Sequence, residues 1–423
     1  MPEQVNPVSE VSYAALVAID WADQKHVWSL QVIGGRKRET GELQHTPEAV
    51  ESWVGQLCQR FGEQPIAVAV EQRRGALVFM LSKYERLHIF PVPPTMSANL
   101  RKALYPSGAK DDPKDADLLL DILEKHGNKL RRLQPDTEPT RRIQNLVEER
   151  RKLVDEKTAQ SNRLMANVKI YFPQIARWFK DVDSNLVCDL LQRWPTLEKL
   201  QKAQTAKVYD LLHRHRFGNE EKIVGLLKEI RQARPAINDM AVQEAKAEAV
   251  KVSVGLLEVL REGIKELDRK IQEAAAAHPD FFIFKSLPGA GPVLAPRLIA
   301  AFGSQRERFD RAEQLQVYSG ISPVISSSGK TRWVHFRFGC PKFLRQTFHE
   351  WAGHSIVFST WARAYYDLQR SRGKGHHAAV RALAFKWMRI AFRCWKDRVA
   401  YQESSYLDVL QKRNSPLAAT VRP

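Results

Sequence analysis

Two acidic residues stand at the ends of apolar runs, where carboxylates could hold a metal ion. Asp20 ends the apolar run of residues 13–20, and Glu71 directly follows a second run, residues 65–70. If the two runs are neighbouring strands, two ionised carboxylates 4 Å apart would repel by about 4 kcal/mol at an effective dielectric constant near 20. A bound divalent cation removes that repulsion. Alternatively, each carboxylate only pairs with a nearby arginine such as Arg73.

A further group of acids crowds residues 109–117 and comprises Asp111, Asp112, Asp115 and Asp117. Asp112 precedes a proline, as a helix N-cap residue often does, and Asp115 then occupies the position of a capping-box acid. Capping explains both aspartates without a metal. Their i,i+3 spacing also puts them on one face of a helix. They could therefore join the two strand-end carboxylates and hold two Mg²⁺ ions, which prefer oxygen ligands.

A serine-rich segment is followed by basic residues that could contact phosphates. Ser326, Ser327 and Ser328 precede Gly329, a pattern that usually indicates a flexible loop. Basic residues then alternate with aromatic ones, and these are Lys330, Arg332, Arg337, Lys342 and Arg345. This mixture is typical of a surface that binds phosphates and stacks on bases. A serine hydroxyl needs a base or a metal to become a nucleophile, and His335 could be that base or one more phosphate contact.

The segment Leu287-Pro288-Gly289-Ala290-Gly291-Pro292 resembles the hairpin of a helix-hairpin-helix. Gly289 and Gly291 would let backbone N–H groups approach a DNA phosphate at the start of a helix. A plain turn is the alternative.

Charge is distributed unevenly along the 423 residues, whose net charge is +18. Residues 1–135 hold 17 basic and 17 acidic side chains, whereas residues 281–423 hold 23 and 8. A block of this kind favours a polyanionic partner over a merely solvated basic surface. The four cysteines are far apart, which argues against a zinc ribbon or a disulfide scaffold. No apolar run is long enough to span a membrane, and we expect a cytoplasmic protein.

The elements that must position these residues change along the chain. Apolar and alternating runs predict the order β-β-β-α-β-α-β over residues 13–92. That order is the layout of the ribonuclease H-like fold, in which Asp20 and Glu71 lie on adjacent central strands. Further on, Val250, Leu257, Ile264 and Ile271 repeat every seven residues, which favours an antiparallel coiled-coil hairpin over ordinary packed helices. We therefore expect three domains: an α/β domain at 1–135, a coiled-coil helical region at 136–280, and a mainly α domain at 281–423.

Seven motifs in order resemble the transposases of insertion-sequence family one-hundred-and-ten, relatives of the Piv-type invertases. The N-terminal motifs are Val17-Ala18-Ile19-Asp20, Val68-Ala69-Val70-Glu71 and the acidic segment from Lys110 to Ala116. The C-terminal motifs begin at Leu287 and Leu315, continue with Ser328-Gly329-Lys330, and end with the segment from Cys340. The resemblance covers both ends of the chain.

This resemblance implies a Holliday-junction-resolvase-like (RuvC-like) domain in which Asp20, Glu71, Asp112 and Asp115 bind Mg²⁺. It implies that Ser328 attacks a DNA phosphodiester and forms a covalent phosphoserine link. It also implies a tetramer that binds double-stranded DNA and a structured non-coding guide RNA in the bacterial cytoplasm, at the nucleoid. Asp111 could replace Asp112 as a ligand, and Ser326 or Ser327 could replace Ser328. A metal-only resolvase-like nuclease and a non-enzymatic nucleic-acid-binding protein are the alternatives.

Overall fold

The structure is a computed structural model that describes residues 11–104, 112–329, 331–415 and 417. Of the residues named above, Lys110, Asp111 and Lys330 lie outside the described residues, and so does the side chain of Asp112. The chain forms two compact units, residues 1–135 and residues 136–423.

The first unit is a five-stranded mixed sheet with helices on both faces. Its elements are β1 (Ala15–Asp20), β2 (Lys25–Val32), β3 (Arg38–Gln44), α1 (Pro47–Phe61), β4 (Ile66–Val70), α2 (Ala76–Leu81), β5 (Leu87–Pro91), α3 (Pro94–Leu104) and α4 (Asp112–His126). The strand order is β3-β2-β1-β4-β5, with β1 antiparallel to β2 and parallel to β4. The predicted order of elements is confirmed.

Local chemistry sets the helix ends in this unit. The Thr46 hydroxyl accepts a hydrogen bond from the Ala49 N–H at 3.2 Å, and Pro47 occupies the first turn of α1. Helix α2 has only six residues. It ends at Leu81 because the Ser82 hydroxyl donates to the Val78 carbonyl oxygen at 2.6 Å and the chain then turns.

The second unit begins with helices and ends in a mainly helical region with one hairpin. Its first helices are α5 (Glu138–Tyr171), α6 (Gln174–Trp178), α7 (Asn185–Arg193), α8 (Leu197–Lys202), α9 (Thr205–Arg214), α10 (Glu220–Gln232) and α11 (Met240–Ala276). There follow α12 (Phe281–Lys285), α13 (Gly291–Phe302), α14 (Ala312–Tyr318), β6 (Val324–Ser328), β7 (Thr331–His335), α15 (Lys342–Phe358), α16 (Thr360–Ser371), α17 (His376–Asp397) and α18 (Glu403–Lys412). The fold is thus an α/β N-terminal unit followed by mostly helical structure.

The two longest helices, α5 and α11, pack against each other in antiparallel orientation. Arg150 pairs with Asp268, and further along α5 the Leu153 side chain lies against Gly263, at an earlier position of α11. Later residues of α5 therefore contact earlier residues of α11, as antiparallel helices do. Three members of the predicted heptad row, Val250, Leu257 and Ile271, are buried, and Ile264 is half-buried. The coiled coil itself stays a prediction.

Four buried tryptophans organise the core of the C-terminal region: Trp351, Trp361, Trp387 and Trp395. Each indole N–H finds an acceptor, and these are the Pro288 carbonyl, the Tyr401 hydroxyl, the Ser355 hydroxyl and the Gly303 carbonyl. A buried indole N–H without an acceptor would lower the free energy of unfolding by about 1–3 kcal/mol. The core is therefore specific in geometry as well as apolar.

No helix in the described parts of the chain is long and apolar enough to cross a membrane.

A pair of histidines, of which His26 is fully buried and His45 is half-buried, supports the turn that follows β1. The Ala22 N–H donates to Nδ1 of His26 at 3.1 Å, so this nitrogen carries no proton in the neutral ring. Its Nε2 therefore holds the proton and donates to Nδ1 of His45 at 2.8 Å. Burial, and secondarily His45, lowers the pKa of His26 to about 4. Protonation of His26 would break the bond to Ala22.

We predict that acid destabilises this unit through His26. An unfolded histidine takes up a proton near pH 6.5 whereas folded His26 does so only near pH 4, so stability falls as the pH drops between these values, by up to about 3 kcal/mol. Hydrogen exchange of peptides from β1 and β2, corrected for the intrinsic effect of pH, measures this. His26→Gln, which keeps a donor and an acceptor, should flatten the pH dependence. An equally steep dependence in the variant would contradict this role.

Candidate active site

The ends of β1 and β4 place Asp20 and Glu71 side by side. The two strands are parallel, with Ile19 beside Val70, so the next residue of each strand reaches the same edge of the sheet. Neighbouring strands lie about 4.8 Å apart.

The alternation of side chains puts both carboxylates on the same face of the sheet. Leu16 and Ala18 on β1 and Ala67 and Ala69 on β4 pack in one core with helix α4. Side chains two residues apart on a strand share a face, so Asp20 and Glu71 continue these two rows. The face they occupy is the one that α4 covers, and α4 carries Asp115 in its first turn.

Helix α3 links two of the predicted acids. The Ser97 hydroxyl donates to Oε1 of Glu71 at 2.5 Å, and the Arg101 guanidinium pairs with Oδ1 of Asp115 at 2.7 Å. Ser97 and Arg101 are four residues apart and thus lie on one face of α3. Glu71 and Asp115 therefore both border this face, about one helical turn apart.

Asp115 is the most buried of the predicted acids whose side chains are described, with 6% of its surface exposed. A buried carboxylate needs a counter-charge, and Arg101 supplies it. The Nε atom of Arg101 is itself buried and has no hydrogen-bond partner among the described residues.

The structure describes the side chains of three of the four predicted metal ligands. The side chain of Asp112 lies outside the described residues, although α4 begins at this residue. Among the side chains that the structure describes, no three histidines, cysteines, aspartates or glutamates are close enough to hold one metal ion. The β1–β4 pairing places Asp20 beside Glu71, and the contacts from α3 place Glu71 and Asp115 along one helix face. Carboxylate oxygens are ligands that suit Mg²⁺.

Sequence reasoning missed Ser97 and Arg101. Their i,i+4 spacing on a helix directly after β5 was a usable signal. The acids they contact, Glu71 and Asp115, are distant in sequence, however, and only the folded chain shows these pairs.

The three serines lie in a strand, which corrects the expectation of a flexible loop. β6 and β7 form an antiparallel hairpin in which Ser326 pairs with Trp333, Ser327 with Arg332 and Ser328 with Thr331. β-branched and aromatic residues on the partner strand favour this extended pairing. Ser328 is exposed and precedes Gly329, whose φ of +57° suits a tight turn.

The pairing also sorts the side chains between the two faces of the hairpin. Directly paired residues share a face, so Arg332 lies on the face of Ser327, and Ser328 shares the other face with Thr331. Arg332 therefore does not flank the Ser328 hydroxyl directly.

The other predicted basic residues surround the base of this hairpin. The Arg337 side chain donates to the Ser322 carbonyl at 3.2 Å, and the Arg345 side chain donates to the Arg337 carbonyl at 2.9 Å. Arg345 and Arg381 also lie over the ring of Phe336, at 4.6 and 5.1 Å from its centroid. Lys342 is exposed at the start of α15. Arg337 and Arg345 thus anchor the hairpin as well as adding positive charge.

Gly289 and Gly291 have different surroundings. A Cβ at Gly289 would come within 2.8 Å of the backbone of His354 and Ser355 in α15, and its φ is +74°. Gly291 starts α13 with a φ of +54°, and nothing lies within 4 Å of its position for a Cβ. Close packing explains Gly289, whereas the phosphate contact predicted for both glycines stays a prediction.

Comparison with known proteins gives matches in both units. The DEDD transposase model of IS110 matches residues 17–173, and the model described as the transposase of the IS116/IS110/IS902 family matches residues 283–367. The mini-circle putative transposase for IS117 of Streptomyces coelicolor is 27% identical over 412 residues, which cover 93% of this chain and 97% of that protein. The IS900 uncharacterized 42 kDa protein of Mycobacterium paratuberculosis is 25% identical over 310 residues, covering 71% and 75% of the two chains.

Both models describe proteins that move DNA elements, and the chain is accordingly a transposase. It belongs to the IS110 family of insertion-sequence transposases, as the motif resemblance indicated.

We predict that Gly289→Ala destabilises the second unit far more than Gly291→Ala does. In Gly289→Ala the new Cβ overlaps the backbone of α15 and the residue must also keep a left-handed φ. Its free energy of unfolding should fall by about 2–4 kcal/mol. In Gly291→Ala only the φ angle is strained, so the free energy of unfolding should fall by about 1 kcal/mol. Urea unfolding followed by tryptophan fluorescence compares them. Equal losses would show that α15 does not depend on the close approach at Gly289.

Proposed function

We propose that this transposase cuts and rejoins DNA strands through a covalent phosphoserine at Ser328, with Mg²⁺ held by Asp20, Glu71, Asp112 and Asp115. The observation that carries the proposal is the pair of contacts from α3, which bring Glu71 and Asp115 to one edge of the sheet beside Asp20. Family membership supports the DNA substrate.

The topology supports a ribonuclease H-like, RuvC-like assignment for the first unit. Three antiparallel strands come first, and two parallel crossover strands then pair on the other side of β1. This layout puts the ends of β1 and β4 at the sheet centre, where the acids are.

The acidic residues fit a divalent cation in charge and ligand type. Carboxylate oxygens are the ligands that Mg²⁺ takes in proteins, usually together with water. Bound there, the ion would supply charge stabilisation to the attacking and leaving oxygens of a phosphodiester. Arg101 serves as the counter-charge of Asp115, and Ser97 orients Glu71.

Ser328 would provide the nucleophile. Its Oγ forms a bond to phosphorus while the bond from phosphorus to one bridging sugar oxygen breaks, which leaves that oxygen at a new strand end. The serine proton passes to a carboxylate, and the departing oxygen takes up a proton. Rejoining reverses these steps with a new strand end. Exposure of Ser328 at the end of β6 leaves the hydroxyl accessible to DNA.

The proposed catalytic residues lie in two different units of the chain. The acids belong to the unit of residues 1–135 and the serine to the unit of residues 136–423, so the two groups must be brought together by folding or by subunit association. We propose a tetramer in which different subunits contribute them, with α5 and α11 as a coiled coil. The basic residues Lys330, Arg332, Arg337, Lys342 and Arg345 would bind double-stranded DNA and a structured guide RNA, in the bacterial cytoplasm.

We predict that Glu71→Gln loses Mg²⁺-dependent DNA cleavage and binds divalent ions at least tenfold more weakly. Removal of one ligand charge weakens the attraction for the cation, while the amide still accepts the Ser97 hydroxyl. Mn²⁺ titration by calorimetry and a nicking assay measure the two effects. Glu63→Gln, an exposed acid of the same unit, is the matched control. Wild-type cleavage by Glu71→Gln would refute the metal site.

We predict that Ser328→Ala still binds DNA but forms no covalent protein–DNA product. Denaturing gels with a pre-nicked substrate that traps the intermediate show the adduct directly. Ser326→Ala and Ser327→Ala should keep it. An adduct in Ser328→Ala, or its loss only in Ser327→Ala, would move the nucleophile. Cleavage without any adduct in the wild type would favour the metal-only nuclease.

A further inference from the structure

A small pocket lined by three arginines lies in the second unit where four helices meet. Its walls come from α5, α11, α13 and α15, and its lining includes Arg150, Arg151, Asp268, Arg297 and Phe343. Three lining residues are basic and one is acidic. The cavity measures about 20 Å³, which is room for one water-sized atom.

Arg297 is the unusual member of this pocket. Only 8% of its surface is exposed. Its Nη1 pairs with Oε2 of Glu350, and its Nε donates to the Thr347 hydroxyl at 3.3 Å. Its Nη2 is buried and has no hydrogen-bond partner among the described residues. A buried guanidinium nitrogen without an acceptor is costly, so the structure leaves a donor here that an added acceptor would satisfy.

The surrounding charges favour an anionic acceptor. Burial lowers the pKa of Arg297 most strongly, and the positive charges of Arg151 and Arg150 lower it further, against the opposing effect of Glu350. Arg150 is held by Asp268 through two hydrogen bonds, whereas the Arg151 side chain is one-third exposed and pairs with the exposed Asp155. An exposed pair of this kind contributes little and is easily exchanged. Arg151 thus lines the pocket while part of its side chain reaches solvent.

We propose that this arginine pocket, formed by Arg150, Arg151 and Arg297, binds one backbone phosphate of a nucleic acid. One non-bridging oxygen enters the cavity and accepts from Nη2 of Arg297, and Arg151 contacts a second oxygen at the mouth. Planar guanidinium groups match the geometry of a phosphate. The inference rests on the proposed nucleic-acid partners, but it requires neither Ser328 nor the acids of the first unit.

The first test uses the full chain and inorganic oxyanions. Sulfate or phosphate, compared with chloride at equal ionic strength, should raise the melting temperature with saturation in the millimolar range. Arg151→Gln should lose the saturable part, and so should Arg297→Lys, which keeps a charge for Glu350 but lacks the second nitrogen. Lys152→Gln is the matched control, because Lys152 is exposed, adjacent in sequence and outside the pocket lining. No saturable effect in the wild type would mean that the pocket holds only water, which overturns the proposal.

The second test measures affinity for a DNA duplex and for a structured RNA by fluorescence anisotropy over a range of salt concentrations. Arg151→Gln should bind about tenfold more weakly and should reduce the salt slope by about 0.9 for a DNA duplex. Weaker binding of DNA, of RNA or of both by Arg151→Gln supports the proposal and identifies which nucleic acid supplies the phosphate. Unchanged affinity for both overturns it, as does an equal loss in Lys152→Gln. DNA cleavage is not the readout, so failure here is distinct from failure of the proposed chemistry.

Discussion

The parallel pairing of β1 with β4 is the constraint on which the rest of the first unit depends. It brings Asp20 and Glu71 to one sheet edge, where two carboxylates repel each other unless charge is supplied. Helix α3 contributes donors on the same face of the sheet. The Ser97 hydroxyl donates a hydrogen bond to Glu71, and Arg101 forms an ion pair with Asp115. Donors on one face of α3 thus bind two of the acids near this edge.

Much of this sheet could be predicted from the sequence because its strands are continuous apolar runs. β1 and β4 are buried on both faces, and such strands read directly from composition. Thr46 and Pro47 are a local signal for the start of α1. Contacts such as Arg101 with Asp115 could not be predicted, since they depend on how α3 and α4 pack rather than on any local pattern.

The hairpin shows the opposite difficulty. Three serines before a glycine suggest a loop, yet Ser326–Ser328 pair with the strand of Thr331 to Trp333. Strand formation there depends on the partner, whose alternation of Thr331, Trp333 and His335 is typical of an extended segment. Composition of one segment alone cannot supply this information. The sequence did predict the basic and aromatic surroundings, but it did not show that Arg332 lies on the face of Ser327 instead of Ser328.

Rigidity at the base and exposure at the tip of the hairpin are consistent with its proposed role. Phe336 lies under two arginines, and Arg337 and Arg345 bond to backbone carbonyls around it. A guanidinium over an aromatic ring contributes about 0.5–1 kcal/mol at a partly exposed site, and several such contacts together fix the direction in which the hairpin projects. β6 and β7 themselves remain exposed along almost their whole length. A nucleophile carried in this way can reach a bulky DNA substrate while its own scaffold stays in place, which a serine within the tryptophan core could not do.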